Sequence, residues 1–175
     1  MKFRKLNILA ALALGAMMTL TSCSKDDGAI PERVQIEDVP AVTTNITGGT
    51  TTTGTITLSD AGAFKGDVTM KMFFDNAVAP TKIDIVARKN GSNATAVVYR
   101  ADVATLPADF SVTVADIEAL FGAPIALNDT YDFAPDIYVG TKKYQAYPIT
   151  GTPNGQGITG MSAIGYGVQV RFSVK

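Results

Sequence analysis

The stretch YGVQVRFSVK, residues 166–175, carries the clearest structural signal in the chain. Large apolar side chains stand at every second position from Tyr166 to Val174, and small or polar side chains stand between them. Successive side chains of a β-strand point to opposite faces, so this period of two predicts a strand with one buried face. Because this strand ends the sequence, we expect the C-terminus to be fixed in a sheet.

The same alternation recurs upstream. The segments that show it are 56–58, 68–74, 83–88, 95–100, 110–114, 131–139 and 143–147. Asn90-Gly91 lies between two of them and favours a tight hairpin, because both residues tolerate positive φ. Pro135 interrupts another segment, which indicates an edge strand or a bulge. The spacing predicts an all-β fold, an antiparallel sandwich of about seven to nine strands.

One short helix is predicted at about 115–121. Its apolar side chains share one face at spacings of three and four: Ile117, Leu120 and Phe121. Thr113 is a suitable N-cap, and Asp116 three residues later fits a variant of the capping box. Gly122 follows the last turn, where glycine commonly ends a helix. The helix therefore crosses from one strand of the sandwich to the next.

The segment around this helix carries a family resemblance. The strings Asp116–Gly122 and Leu127–Phe133 resemble the crossing between strands E and F of immunoglobulin-like or fibronectin-III-like domains. The resemblance implies that Tyr131 is a tyrosine-corner residue whose hydroxyl bonds back to the chain. Lipoproteins of the SusE/SusF type, from the polysaccharide-utilisation systems of Bacteroidota, often open with such a domain. They continue into carbohydrate-binding domains that usually carry exposed tryptophan, and this chain contains none.

Residues 1–22 follow the pattern of a secretory signal peptide. Its basic residues are Lys2, Arg4 and Lys5. The apolar run after them matches a secretory core of about 7–15 residues better than a spanning helix of about 20. The run ends in a string that resembles a bacterial lipobox: Leu20, Thr21, Ser22 and Cys23. The resemblance implies cleavage before Cys23 and a covalent N-acyl diacylglycerol lipid on it.

The residues after the lipobox bear on location and domain organisation. They resemble the acidic export tag of surface lipoproteins of Bacteroidota: Ser24, Lys25, Asp26 and Asp27. We therefore expect an outer-membrane protein, anchored by lipid and exposed at the cell surface; the alternative is an ordinary signal peptide with an incidental cysteine. Residues 23–54 are expected to be the lipidated cysteine and a flexible tether, and 55–175 the sandwich. The Thr-rich part of that tether, 43–55, is either linker or a frayed first strand.

Composition and charge exclude several functions. Removal of the signal takes away three cations and leaves 12 Lys and Arg against 16 Asp and Glu, a net charge of −4. Without a basic block we expect no nucleic-acid partner. The chain has no histidine, the commonest general base and metal ligand, so we expect a non-enzymatic protein. Its single cysteine cannot form an internal disulfide, so the fold must be stable without one.

Two patterns suggest ligand sites. Gly155–Gly160 matches GxGxxG by letter, but a terminal strand rather than a helix follows it. The loop 151–165 is better interpreted as a mobile connection and a place for partner contacts. Asp129, Asp132 and Asp136 could offer oxygen ligands to Ca²⁺, although they lack the spacing of a calcium loop. The alternative is that these carboxylates are solvated or stabilise turns.

Three tyrosines cluster near one predicted hairpin: Tyr138, Tyr144 and Tyr147. Exposed tyrosine stacks on sugars or anchors a protein interface, whereas the alternative is half-buried packing at the sheet edge.

The leading hypothesis is an accessory binding or structural module at the outer membrane with a protein partner, such as an import complex. The competing hypothesis is a glycan-binding lipoprotein of a polysaccharide-utilisation system.

Overall fold

The computed structural model describes residues 39–155 and 164–175, which all belong to one compact unit, Ile36–Lys175. The predicted signal, lipobox and export tag lie outside the described residues, as do residues 156–163 of the GxGxxG match and its loop. The strands are β1 (Val42–Ile46), β2 (Thr53–Ile56), β3 (Lys65–Met72), β4 (Lys82–Lys89), β5 (Val97–Val103), β6 (Ala108–Thr113), β7 (Thr130–Val139), β8 (Lys142–Tyr144) and β9 (Val170–Val174). The α-helix is α1 (Val114–Phe121), and two 3-10 turns span Leu58–Ala63 and Asn93–Thr95.

The strands form two sheets. Sheet 1 has the order β1-β3-β6, and sheet 2 has the order β2-β9-β7-β4-β5, with β8 paired to β7. The pairs are antiparallel except for β2 and β9, which run parallel. The predicted all-β sandwich with one short helix is therefore confirmed, with one parallel pair added to the antiparallel scheme. The helix joins β6 in sheet 1 to β7 in sheet 2, which is the predicted crossing.

The sandwich begins earlier than residue 55, so the predicted tether boundary is wrong. β1 pairs with β3 from Val42 opposite Met72 to Ile46 opposite Val68, and β2 then joins sheet 2 beside β9. Residues 43–55 look like a linker in sequence because polar side chains occupy the buried positions of β1. Thr43 Oγ1 donates to the carbonyl of Gly165 at 3.1 Å, and Asn45 Nδ2 donates to Thr43 Oγ1 at 3.0 Å.

The last strand is shorter than its alternation suggests. β9 begins at Val170, and the residues before it run beside β1 instead, where Thr44 N donates to Gly167 O at 2.7 Å. Gly167 permits this close approach, because a Cβ there would lie 2.8 Å from the carbonyl oxygen of Thr44. The expected fixing of the C-terminus is confirmed, since Lys175 N donates to Ile56 O at 2.9 Å.

Phe172 on β9 lies at the centre of the core between the sheets. Its ring makes edge-to-face contacts with Phe64 at 5.2 Å and Phe133 at 6.0 Å between centroids. Gly66 on β3 faces this ring from sheet 1, and a Cβ there would lie 2.5 Å from Phe172 Cζ. The missing side chain at Gly66 therefore makes room for the largest apolar group of β9. Other fully buried core side chains are Ile56, Val68, Met70, Ile83, Ile85, Val112, Ile117, Tyr131 and Ile137.

Both ends of α1 follow the predicted signals. Thr113 Oγ1 accepts from Asp116 N at 3.2 Å, and the Asp116 carboxylate accepts from Thr113 N at 2.9 Å, which completes the capping box. Gly122 closes the helix with a φ of 66°. Only Ile117 is buried within it. Among the described residues, no helix has the length and apolar character needed to cross a membrane.

Pro135 lies inside a central strand and pairs in regular register with Ile85 of β4, contrary to the predicted edge strand or bulge. β4 pairs along one side of β7, whereas the other side is shared by β9 up to Phe133 and by β8 from Ile137. Pro135 occupies the gap between these two partners, where its carbonyl accepts from Asn154 Nδ2 at 3.0 Å. The N and C=O of one strand residue point to the same side, so the proline removes a donor that no neighbouring strand would use.

The turn into β7 contains the predicted tyrosine corner in an altered form. Tyr131 Oη donates to Asp129 Oδ2 at 3.0 Å, and the same oxygen accepts from Ala126 N at 2.9 Å. The hydroxyl therefore reaches the upstream backbone through a carboxylate rather than directly. Asn90 Nδ2 donates to the other carboxylate oxygen at 3.0 Å, which ties the β4–β5 turn to this corner.

Replacement of Gly66 by alanine tests the fit around Phe172. The added Cβ overpacks the core, so we expect Gly66→Ala to lower the free energy of unfolding by about 1–3 kcal/mol in urea titrations. Gly62→Ala is the matched control, because a Cβ at Gly62 meets nothing within 4 Å. Equal stability of the two variants would contradict the proposed packing.

Candidate functional site

The face of sheet 2 that points away from the core is rich in charge, and we call it the outer face. Along β7 the residues Tyr131, Phe133 and Ile137 point into the core, so the even positions point outward. The outward residues of β7 are Asp132, Ala134, Asp136 and Tyr138, and those of β4 include Lys82, Asp84, Val86 and Arg88. Most of these residues are nonetheless buried, because the chain from β8 to residue 155 folds over them. We call residues 142–155 the cover segment.

Asp132 is fully buried at the centre of the outer face and lies between two arginines. Arg88 on β4 and Arg171 on β9 stand directly opposite it in the ladders on either side. Arg171 Nε and a terminal nitrogen donate to its two oxygens at 2.6 and 2.9 Å, and Arg88 Nε donates at 2.9 Å. The hydrogen bonds to Asp132 raise the pKa of Arg171. Arg88, Asp132 and Arg171, which we call the ion row, therefore hold three adjacent strands together.

Arg88 also connects this row to the cover segment. Its guanidinium carbon lies 4.3 Å from the ring centroid of Tyr147, and Nη1 donates to Asn93 Oδ1. Asn93 in turn donates through Nδ2 to the carbonyl of Pro148 at 2.7 Å. The position of Tyr147 over the sheet thus depends on the same arginine that neutralises Asp132.

Asp136 holds the cover segment directly. Its Oδ1 accepts from Ala146 N at 2.7 Å, and its Oδ2 pairs with Lys143 Nζ at 2.8 Å. Asp136 stands opposite Asp84 in the ladder, where two like charges would repel each other. Lys143 neutralises Asp136, while Lys82 lies 3.7 Å from Asp84. Each buried carboxylate of the outer face therefore lies beside at least one cation.

A cleft opens between the cover segment and the start of β5, and we call it the outer cleft. It consists of adjacent hollows of about 130 and 280 Å³ that share Ala96, Gln145 and Tyr147 as lining residues. The other lining residues are Val86, Asn93, Ala94, Val97, Val98, Asp136, Lys143, Ile149 and Thr150. Two aliphatic side chains on its rim face solvent, since Val98 is 47% exposed and Ile149 is 82% exposed. The cleft thus combines amide and hydroxyl groups with an apolar rim.

None of the three predicted tyrosines offers a free ring face in the structure. Tyr138 is half-buried, donates to Asp84 Oδ2 at 2.7 Å and has Lys82 Nζ at 4.4 Å from its centroid. Tyr144 is buried in the core between the sheets. Tyr147 is buried on the outer face, where burial raises the pKa of its hydroxyl well above the usual range. The geometry corresponds to the packing alternative, and only Tyr147 lines the outer cleft.

The three carboxylates considered for calcium are separately occupied by cations. Asp132 binds the two arginines, Asp136 binds Lys143, and Asp129 pairs with Lys89 Nζ at 2.7 Å. Within residues 39–155 and 164–175, no group of three acidic, cysteine or histidine side chains is placed to hold a metal ion. The geometry therefore gives the calcium hypothesis no support from the described residues.

Sequence reasoning missed the outer cleft and the ion row beneath it. The alternation already places Asp132, Arg88 and Arg171 on one type of face, so a charged row becomes visible once the strand order is known. The cleft itself has no comparable signal, because its amides and aliphatic groups come from turns and from the irregular cover segment.

Replacement of Asp132 tests whether the ion row stabilises the domain. Asp132→Asn leaves two arginines facing a buried neutral group, so we expect the free energy of unfolding to fall by about 3–5 kcal/mol. Asp102→Asn is the control, because Asp102 pairs with Lys82 while its side chain is 73% exposed, and we expect little change. Equal losses in thermal or urea unfolding would contradict the central role of Asp132.

The pH dependence of stability tests the corner at Asp129. Burial alone would raise the pKa of Asp129, but hydrogen bonds from Lys89, Asn90, Ala126 N and Tyr131 outweigh it and lower the pKa from 3.8 to about 2. Because the pKa of Asp129 is lower in the folded than in the unfolded state, its ionised form stabilises the fold at pH values above about 4. This contribution is lost as pH falls from about 4 to about 2. Asp129→Asn should flatten the loss in that window in urea titrations. Parallel curves for wild type and variant would refute this account.

Comparison with known proteins identified no relative of the chain. No protein-family model matches the chain, no curated protein matches it, and no solved structure matches it. Its function must therefore be inferred from its own residues.

Proposed function

We propose that the chain is a non-enzymatic lipoprotein of the outer membrane, displayed at the cell surface, that binds a protein partner through the outer cleft. The membrane location rests on the sequence, in which the single cysteine ends a lipobox-like string behind a secretory pattern. The binding site rests on one observation, the exposed aliphatic rim of Val98 and Ile149 around a cleft that is firmly supported from below.

A protein partner is favoured because the cleft offers aliphatic rather than aromatic contact. Protein interfaces concentrate their binding energy in a few apolar anchors surrounded by polar groups. Ile149 and Val98 supply such anchors, and Gln145, Asn93 and Thr150 supply donors and acceptors beside them. The buried ion row and the hydrogen bonds of Asp136 fix the cleft before binding, which reduces the ordering that association requires.

A glycan ligand is the second candidate, and one observation favours it. Gln145 and Thr150 line the larger hollow with an amide and a hydroxyl, beside Asn93, whose amide is bound to Arg88 and Pro148. Such groups form hydrogen bonds with sugar hydroxyls. Stacking of a sugar ring, however, needs a free aromatic face. Tyr147 is buried and covered by Arg88, so a glycan would have to bind without this contact.

The membrane anchor is tested by replacement of Cys23. We expect the wild-type protein to fractionate with membranes and with the detergent phase, and Cys23→Ala to be released, because the acyl chains supply the membrane affinity. Ser24→Ala is the matched control and should stay with the membrane. Continued membrane retention of Cys23→Ala would refute lipid anchoring.

The binding site is tested by a charge placed on the rim. In pull-downs from membranes, Ile149→Asp should weaken capture of the partner about tenfold or more, because it removes an interface anchor. Leu127→Asp is the control, since Leu127 is exposed on the turn before β7 and is not among the residues that line the cleft. Capture of the same protein by both variants would contradict the proposal. So would polysaccharide binding on a glycan array with no protein captured.

A further inference from the structure

One end of the sandwich is where the chain arrives from Cys23, and we call it the proximal end. Val42, at the start of β1, pairs with Met72, at the end of β3, and Phe73 N donates to Ala41 O at 2.8 Å. The β3–β4 turn, 73–81, therefore lies beside the first described residues of the domain. The turn before β7 and the C-terminus lie at the opposite end, where Asn128 N donates to Val174 O at 3.0 Å.

The β3–β4 turn presents two apolar side chains to solvent. Phe74 is 55% exposed and Val78 is 84% exposed. The turn is closed by a hydrogen bond of 3.1 Å from Ala77 N to Phe74 O. Phe74 rests edge-to-face on Phe73 at 4.9 Å between centroids, and Phe73 rests on Tyr166 at 5.2 Å. Aromatic contacts with Phe73 and Tyr166 thus support Phe74 from inside the domain.

The length of chain before Val39 decides what this pair can reach. Only 15 residues separate Cys23 from Val39. A chain of that length spans at most about 55 Å, and a flexible one has an r.m.s. span of about 20 Å. A domain of this size has a radius of gyration of about 14 Å. If Cys23 carries lipid, the proximal end is therefore the part of the domain held nearest to the membrane.

We propose that Phe74 and Val78 insert into the lipid surface and orient the domain with its proximal end on the membrane. This inference rests on the proposed lipid anchoring of Cys23. The anchor raises the effective concentration of the domain at the surface, so a small apolar contact suffices where a free protein would need a larger one. The outer cleft on the flank of sheet 2 then stays open to a partner.

The size of the exposed pair favours lipid over a protein as its occupant. A stable protein interface buries about 800 Å² on each partner, which two side chains on one turn cannot supply. Insertion into a lipid surface has no such threshold, and phenylalanine is among the apolar side chains that interfacial segments bury at the boundary of headgroups and acyl chains. Asp75 lies exposed between the two apolar residues, so a surface without net negative charge suits the turn.

The composition of the chain makes this proposal directly testable. It contains one cysteine and no tryptophan, so a single thiol can be coupled and a single fluorophore introduced. The mature chain, residues 23–175, is coupled through Cys23 to maleimide-bearing lipid in phosphatidylcholine vesicles. Phe74→Trp places the reporter at the proximal end. Leu127→Trp places it at the opposite end, on a residue of similar exposure at 59%.

Phosphatidylcholine brominated on its acyl chains quenches only a tryptophan that enters the bilayer. We expect strong quenching and a blue-shifted emission for Phe74→Trp, and neither for Leu127→Trp. Val78→Ser added to Phe74→Trp should reduce the quenching several-fold. Absent quenching at position 74, or equal quenching at both positions, would overturn the proposal. The chemical coupling bypasses lipidation in the cell, so failure here refutes docking alone, whereas membrane retention of Cys23→Ala refutes the anchor alone.

Discussion

The outer face is held together by the ion pairs that the buried carboxylate of Asp132 makes with Arg88 and Arg171. It stands directly between Arg88 and Arg171, so that three neighbouring strands share one charge cluster. Burial of an ion is unfavourable unless it is fully paired, and here both oxygens accept hydrogen bonds from guanidinium groups. The cluster also fixes the strand register, because a slip by one residue would turn Asp132 into the core. Arg88 also contacts the ring of Tyr147 and thereby links these ion pairs to the cover segment.

The rest of the domain achieves stability without a disulfide by close fit and shared strands. The N-terminal stretch contributes β1 to one sheet and β2 to the other, so it fastens the two sheets together. Phe172 fills the space left by Gly66 and contacts two further aromatic rings. The positions of the two surfaces proposed to make contacts follow from this frame. The outer cleft lies on the flank of sheet 2, and the exposed turn of Phe74 lies at the end where the chain arrives.

The sequence predicted those features that depend on local chemistry. Strand alternation and the helix caps at Thr113 and Gly122 are encoded within a few residues, and each is found in the fold. The hydroxyl of Tyr131, by contrast, bonds to the Asp129 carboxylate rather than to the upstream backbone. Features that depend on distant partners were not predictable. The Thr-rich first strand can be buried because its polar groups form hydrogen bonds with residues far along the chain. Pro135 can lie in a central strand because β9 and β8 pair with β7 before and after it and leave its own position unpaired on that side. The outer cleft arises from an irregular segment that has no period to detect.

We infer that the ion pairs of Asp132 with Arg88 and Arg171 hold the cover segment in place and thereby form the outer cleft. Amide hydrogen exchange of the Asp132→Asn variant, compared with the wild type by mass spectrometry, tests it most directly. We expect protection to be lost first in residues 142–155 and around Asn93, while β3 and β6 of sheet 1 remain protected. Unchanged protection of the cover segment, or a loss spread equally over both sheets, would contradict it.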